Sequence, residues 1–293
     1  MSRQQPTRDG QYTVDDGLGV RWVEVDAAQS WTEVLEVAPV IASYPAVDQA
    51  MRAHAARFAV EAATMAAVRR IERHGDALRV VAAMPQGVRL SDLLADLEFG
   101  TEVLTDAGVL ELAMAVIGAV AAVHDLPGEV SHGALTPSHV RLTWDGTAML
   151  TDGVFGTALE QLKMNREQLW REFGVVLPAS ASLPRFDQRA DVTQLGAVVL
   201  AITLRRTLRS DEYPRGIGDL VLAATPEDGR SHTSALRMWL QQAMQLHPRA
   251  VFGSALEARL LFGEVAAAAG VRLTGAEALK AIVRKRFSNL RAN

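Results

Sequence analysis

Ser131-His132-Gly133-Ala134-Leu135-Thr136-Pro137-Ser138-His139-Val140 lies near the middle of a 293-residue chain and runs into Val140-Arg141-Leu142-Thr143, which reads as a strand. Trp144-Asp145-Gly146-Thr147 comes next, and Asp-Gly between two short runs is a strong hairpin signal. The second run, Ala148-Met149-Leu150-Thr151, delivers the chain to Asp152. Upstream, Asp106 to His124 predicts a long apolar helix with Thr105 as its N-cap. Asp125-Leu126-Pro127-Gly128 then turns the chain into the Ser131 stretch. The order is helix, polar loop, hairpin, acid.

This order resembles the catalytic and metal-binding loops of the protein kinases, most of all the bacterial Hanks-type Ser/Thr kinases. In that family a His-Arg-Asp-Leu-Lys-Pro-x-Asn loop precedes Asp-Phe-Gly. The frame is present, since His132, Leu135, Pro137 and Asp152 fall where the family has its His, Leu, Pro and metal-binding Asp. His139 and Asp152 are thirteen positions apart, the family's spacing between its two metal ligands. The reactive residues differ. Ala134 stands for the catalytic-base Asp, Thr136 for the loop Lys, His139 for the metal-binding Asn, and Gly153-Val154 for the Phe-Gly. A neutral histidine nitrogen replaces poorly where magnesium prefers oxygen, so His139 is expected to pack, not to bind metal.

The resemblance continues on both sides. Leu78 to Leu94 resembles the kinase hinge: an apolar strand, the hinge, a glycine turn, then Leu-x-x-Leu-Leu opening a helix. With Ala82 as the last buried strand position, Ala83 falls in the hinge and Pro85 at the position whose N–H would meet an adenine. Proline has no N–H. Downstream, Leu177-Pro178-Ala179 takes the place of Ala-Pro-Glu, and Asp191-Val192-Thr193-Gln194-Leu195-Gly196 that of Asp-Val-x-Ser-Leu-Gly. The resemblance gives His132, Asp191 and Gly196 structural roles, with Asp191 capping the central helix and accepting bonds from the backbone of residues 132–134. Leu246 to Ala255 resembles the Asp-Pro-x-x-Arg-Phe-x-Ser-Ala segment, with Val251 in place of the arginine. In the family that arginine pairs with the glutamate that is here Ala179. Losing one half of a buried ion pair strands a charge at ~3–5 kcal/mol, whereas losing both can be neutral. Ser254-Ala255-Leu256-Glu257 has capping-box spacing and opens a helix that ends before Gly270.

Toward the N-terminus the pattern thins. Residues 1 to 11 are expected to be disordered. Val20 to Val25 and Glu33 to Val37 read as strands, and Gly17 and Gly19 flank Leu18 without the family's triple-glycine spacing. The resemblance puts Glu36 at the position of the phosphate-pairing lysine. The chain's lysines are Lys163, Lys280 and Lys285, none of them upstream of the Ser131 stretch. Met51 to Arg73 predicts one long helix with Phe58, Met65, Val68 and Ile71 as its apolar stripe and Glu61 in place of the lysine-pairing Glu. Two carboxylates facing each other at ~4 Å would repel by roughly 4 kcal/mol at an effective dielectric of about 20. The helix then swings away, one acid is protonated, or an arginine intervenes.

At the other end, Thr274-Gly275-Ala276-Glu277 has capping-box spacing. The helix it opens carries Leu279, Ile282, Val283, Phe287 and Leu290 on one face. That face is expected to dock on protein, either the chain's own large lobe or a partner. The helix is basic through Lys280, Arg284, Lys285, Arg286 and Arg291, so anionic membrane is the second choice of surface.

A net charge of −4 gives no reason to expect nucleic acid as a partner, and the absence of cysteine excludes disulfides. An apolar fraction of 49% suffices for a packed core. The longest apolar run, Met114 to Val123, falls short of the ~20 residues that span a bilayer, and the polar start carries no signal peptide. The expected fold is α+β and protein-kinase-like. A small β-rich lobe with one long helix covers residues 12–82, a mainly helical lobe 83–270, and an amphipathic helix 271–293. The expected function is that of a cytoplasmic pseudokinase that transfers no phosphate, holds no cofactor or metal, and binds proteins as a scaffold or regulatory module. Two rivals are a structural subunit of a larger complex, and an atypical phosphotransferase that keeps Asp152 and recruits Asp145 or Glu61.

Overall fold

Runs rich in Val, Trp and Thr, separated by short polar turns, fold the first quarter of the chain mainly as sheet. The computed structural model describes residues 4–6, 12–25, 31–56, 64–178, 184–226, 231–247 and 251–292. Strands β1 (Gln4–Pro6), β2 (Tyr12–Asp16), β3 (Gly19–Val25) and β4 (Trp31–Val37) are followed by the short helix α1 (Pro39–Ala42) and by α2 (Pro45–Ala55). Then come β5 (Val68–His74) and β6 (Ala77–Ala83). The six strands form one antiparallel sheet in the order β1-β2-β3-β4-β6-β5. Only Gly17 and Leu18 lie between β2 and β3. Gly19 has φ +144°, and a Cβ there would lie 2.0 Å from the Glu36 carbonyl oxygen, so glycine is required.

Two expectations fail in this lobe. The long helix over Met51 to Arg73 is not one element: α2 ends at Ala55, and Val68–His74 is β5. Val68 and Ile71 have helical spacing, but they pair across the sheet with Ala82 and Val80, and Gly75-Asp76 closes the hairpin. A short apolar run is ambiguous between helix and strand, and the Gly-Asp turn is the signal that decides it. Phe58 and Glu61 lie outside the described residues. The expected disorder over residues 1 to 11 meets a strand at Gln4–Pro6, paired with Val14, Thr13 and Tyr12; residues 1–3 and 7–11 lie outside the described residues.

The second lobe starts at β7 (Gly87–Arg89) and α3 (Leu90–Glu98). It continues through α4 (Asp106–His124), β8 (Val140–Thr143), β9 (Ala148–Leu150), α5 (Phe155–Glu160), α6 (Arg166–Phe173), α7 (Gln188–Leu204), α8 (Ile217–Ala224), α9 (Ser231–Ala243) and α10 (Ala255–Ala268). β7, β8 and β9 make a small antiparallel sheet facing the first lobe. Helix α4 starts where Thr105 accepts a hydrogen bond from the Gly108 N–H at 3.1 Å. It is long and apolar enough to cross a bilayer, but 67% of its most apolar stretch is buried in the core. Helix α7 is buried all round from Ala190 to Ile202, as a central helix must be.

Helix α11 (Ala276–Ala292) lies on α4 and β8. Leu279 and Val283 are each 1% exposed and Ile282 packs beside them. Of the two expected seats for this face, the chain's own second lobe or a partner, these three residues use the first; the side chains of Phe287 and Leu290 lie outside the described ones. The capping box is not formed as expected. The backbone N–H groups of Thr274 and Gly275 and the Thr274 hydroxyl all donate to Glu111 of α4, while Glu277 pairs with Lys280 at 2.7 Å.

Candidate functional site

Strand alternation puts Arg21 of β3 and Glu33 of β4 on the sheet face that looks toward the second lobe. Asp152, just past β9, comes up to meet them. Arg21 Nη1 lies 2.9 Å from Asp152 Oδ1, and Arg21 Nε lies 2.6 Å from Asp16 Oδ2. Glu33 Oε2 stands 3.8 Å from Arg21 Nη1. On its other side Glu33 accepts from Arg89 Nη2 and lies 3.5 Å from Arg141 Nη2. Thr151 Oγ1 donates to Asp152 Oδ2 at 2.8 Å, and His139 Nε2 stands 4.0 Å from the same oxygen. Arg21 Nη2 and Arg141 Nε are buried and find no hydrogen-bond partner among the described residues.

The network is nearly dry. Arg21 is 2% exposed, Arg141 5% and Glu33 7%. Burial alone would push the Asp152 carboxyl up, but the Arg21 guanidinium, His139 and the Thr151 hydroxyl together outweigh it and hold it well below the usual carboxylate range. Burial likewise opposes ionisation of Glu33, and Arg89, Arg21 and Arg141 together overcome it and lower its value. Arg21 is pulled down by burial yet raised overall by Asp152, Asp16 and Glu33. Arg141 is lowered, first by burial, with Arg89 and Arg21 adding to the effect against Glu33. Asp152 also sits at φ +65°, a conformation costing of order 1–3 kcal/mol in a residue other than glycine. The arginine and threonine bonds hold it there.

Glu36 is not part of this network. It points to the opposite face of β4, where Arg79 Nε and Nη2 donate to Oε2 at 2.9 and 2.8 Å. The acid of this strand that faces the junction is Glu33, three positions earlier and so on the other face. The cation at Glu36 is thus Arg79, while Glu61, its expected opposite, lies outside the described residues. Arg21, Arg89 and Arg141 have no counterpart in the motif reading. Their visible signal is a charge set inside an apolar strand, as in Val20-Arg21-Trp22-Val23 and Val140-Arg141-Leu142.

The loop from Ser131 is held from below. Asp191 Oδ2 and Oδ1 accept from the backbone N–H groups of His132 and Gly133 at 2.6 and 2.5 Å. The cap of α7 is Asp187, which accepts from the Ala190 N–H at 3.0 Å; Asp191 sits one turn inside the helix. Gln194 adds a pair that the motif does not announce, accepting from the Leu135 N–H at 2.7 Å and donating to the Gly133 carbonyl at 2.8 Å. A Cβ on Gly196 would lie 3.0 Å from that of Ala243, so α7 and α9 touch there. His132 donates from Nε2 to the Thr151 carbonyl at 2.7 Å and accepts at Nδ1 from the Ala134 N–H at 3.3 Å, and burial lowers its pKa. His139 donates from Nδ1 to the Ala134 carbonyl at 2.5 Å. Ala134 is 0% exposed and carries no group that could take a proton; Thr136 is buried beside it.

The hinge lies one residue from where the sequence puts it. Val81 is the last fully buried residue of β6, and Ala82 is only partly buried. The third residue past the last buried strand position is therefore Met84, not Pro85. The Met84 N–H donates to the Trp31 carbonyl at 3.2 Å, and the Ala83 N–H to the Ala67 carbonyl at 2.8 Å. The β2–β3 turn rests on the second lobe, where a Cβ on Gly17 would lie 1.8 Å from the Glu172 carbonyl oxygen. Val251 is partly buried, and Ala179 lies outside the described residues. A magnesium-bound nucleotide does not fit these residues. Its metal would compete with Arg21 for Asp152, its phosphates would meet Glu33, and its base would find the hinge N–H groups occupied.

A six-stranded first lobe, a helical second lobe and an acid at their junction define a protein-kinase-like, two-lobed fold. Solved structures share it. The kinase domain of Mycobacterium tuberculosis PknI is 19% identical, with 89% of this chain and 96% of that chain covered at a TM-score of 0.62. The kinase domain of maize SIRK1 (sucrose-induced receptor kinase 1), bound to AMP-PNP, is 13% identical over 87% of this chain and 91% of that one, also at 0.62. At such identities the likeness is one of fold. No family profile and no curated protein matches the chain.

Proposed function

We propose that this chain is a pseudokinase: a cytoplasmic kinase-fold protein that transfers no phosphate and acts by binding protein partners, as a scaffold or a regulatory module. The observation that carries the reading is the bond from Arg21 to Asp152. A kinase needs that aspartate for its metal, and a positioned base, a loop cation and a phosphate-pairing lysine besides. Here Asp152 is neutralised from within, Ala134 takes the place of the base, Thr136 that of the cation, and β4 turns a glutamate to the junction. Of the two acids the rival transferase reading would recruit, the carboxylate of Asp145 is engaged by the Thr143 hydroxyl and the Thr147 N–H, and Glu61 lies outside the described residues. The test is transfer of radiolabelled phosphate from ATP, to the chain itself and to a mixed peptide substrate. The expected result is none. Transfer that disappears in Asp152→Ala would overturn the reading. Native mass spectrometry of the protein purified from its source then separates a module with exchanging partners from a fixed structural subunit.

A further inference from the structure

The charges at the junction cross between the lobes in both directions. The first lobe sends a cation, Arg21, to an anion of the second, Asp152. It also sends an anion, Glu33, to two cations of the second, Arg89 and Arg141. In the register of β7 and β8, Arg89 stands opposite Arg141, a like-charged pair that opposes the pairing of the two strands. Glu33, from the other lobe, is the counter-charge that relieves it. Each lobe therefore carries a buried charge arrangement that is completed only by the other. Sliding cannot re-pair them, because a shift that took Arg21 toward Arg89 and Arg141 would set guanidinium against guanidinium.

We propose that this network is a permanent inter-lobe lock, in which Arg21 is a tethered internal cation for Asp152 and holds the two lobes in one closed arrangement without any bound ligand. The inference rests on the reading of the site as one without nucleotide and extends it to regulation: partner binding is not gated by the opening and closing of the lobes. The β2–β3 turn sits beside the lock and rests on the second lobe. Leu18 at the β2–β3 turn is 2% exposed, and Gly17 abuts the Glu172 carbonyl. A tethered cation cannot diffuse away, so its effective concentration at Asp152 far exceeds that of free magnesium.

The absence of cysteine makes the test direct. Single cysteines at Arg70, on exposed β5, and at Leu260, which is 76% exposed on α10, carry spin labels for a pulsed electron-resonance distance measurement between the lobes. The expected result is one narrow distance distribution that millimolar Mg-ATP does not change. Arg21→Gly should broaden it and lower the melting temperature, and millimolar guanidinium chloride, but not sodium chloride, should restore both. If Arg21→Gly does not fold, Asp152→Asn keeps the shape, removes the charge and should broaden the distribution in the same way. A broad distribution in the unaltered chain, an unchanged distribution in either variant, or equal rescue by both salts would overturn the lock. Phosphate transfer by a chain with a narrow distribution would sink the proposed inactivity and leave the lock standing; a broad distribution without transfer does the reverse.

Discussion

His124 Nε2 lies 3.0 Å from Asp191 Oδ2, and both side chains are completely buried. The other ring nitrogen, Nδ1, accepts from the Ala255 N–H at 3.0 Å, so Nε2 must be the donor to the carboxylate. One imidazole thus ties α4 to α7 and to the start of α10. The same carboxylate holds the His132 and Gly133 backbone. Asp191→Ala would leave those N–H groups and His124 without their acceptor, at an expected loss of ~3–5 kcal/mol. Urea unfolding measures it, and a loss under about 1 kcal/mol would show that the loop does not depend on this acid.

The tail helix hangs on Glu111. Glu111→Ala should free the Thr274 and Gly275 N–H groups, at an expected cost of roughly 1–3 kcal/mol if α11 stays in place. Undocking is the alternative outcome, and hydrogen exchange distinguishes the two by the protection of amides 279–285. Deletion of residues 274–293 should expose the seat of Leu279 and Val283 and make the remaining chain self-associate. A monodisperse truncated protein of unchanged stability would count against the docking.

Acid should weaken the fold through His132. Burial holds its pKa below the ordinary value, so the unfolded chain takes up a proton that the folded chain refuses. The stability it contributes is full above about pH 6.5 and falls as the pH drops toward the folded value, by at most ~1.4 kcal/mol per pH unit for one proton. Unfolding from pH 8 to pH 5 should therefore show a shallower slope for His132→Gln than for the unaltered chain. Identical slopes would mean that His132 is not the group responsible. Asp152 and Glu33 are depressed carboxylates, and their contribution is lost only below the ordinary carboxylate range.

Mg-ATP should leave the melting temperature where it is. A ligand raises the stability of the state it binds by RT ln(1 + [L]/Kd), so millimolar ATP reveals any useful affinity. A rise of several degrees would require Arg21 to leave Asp152 in the bound state.

The features legible in the sequence are those written locally. Asp145-Gly146 marks its hairpin, and Thr105 marks the start of α4 because a cap is a short-range device. The β5–β6 hairpin is obscured by alanine-rich sequence that runs through α2 and keeps helical spacing as far as Ile71. The lock is not legible at all from motif spacing. Arg21 and Asp152 are 131 positions apart, and a one-residue change of register in β4 would turn Glu33 away and bring Glu36 in its place. Motif spacing marks where these residues differ from the kinase pattern; it does not mark the ion pairs the fold makes there.

The approach of Gly17 to Glu172 bears on how the molecule comes apart. The turn has two residues and no slack, and the side chain that would have to be pulled out with it, Leu18, belongs to the main apolar cluster. Prising the lobes apart would begin to melt the protein. The two halves should then lose structure in one cooperative transition, with no intermediate in which only one lobe is folded. Tryptophans are already placed to report this: Trp22 and Trp31 in the sheet, Trp144, Trp170 and Trp239 beyond the hinge.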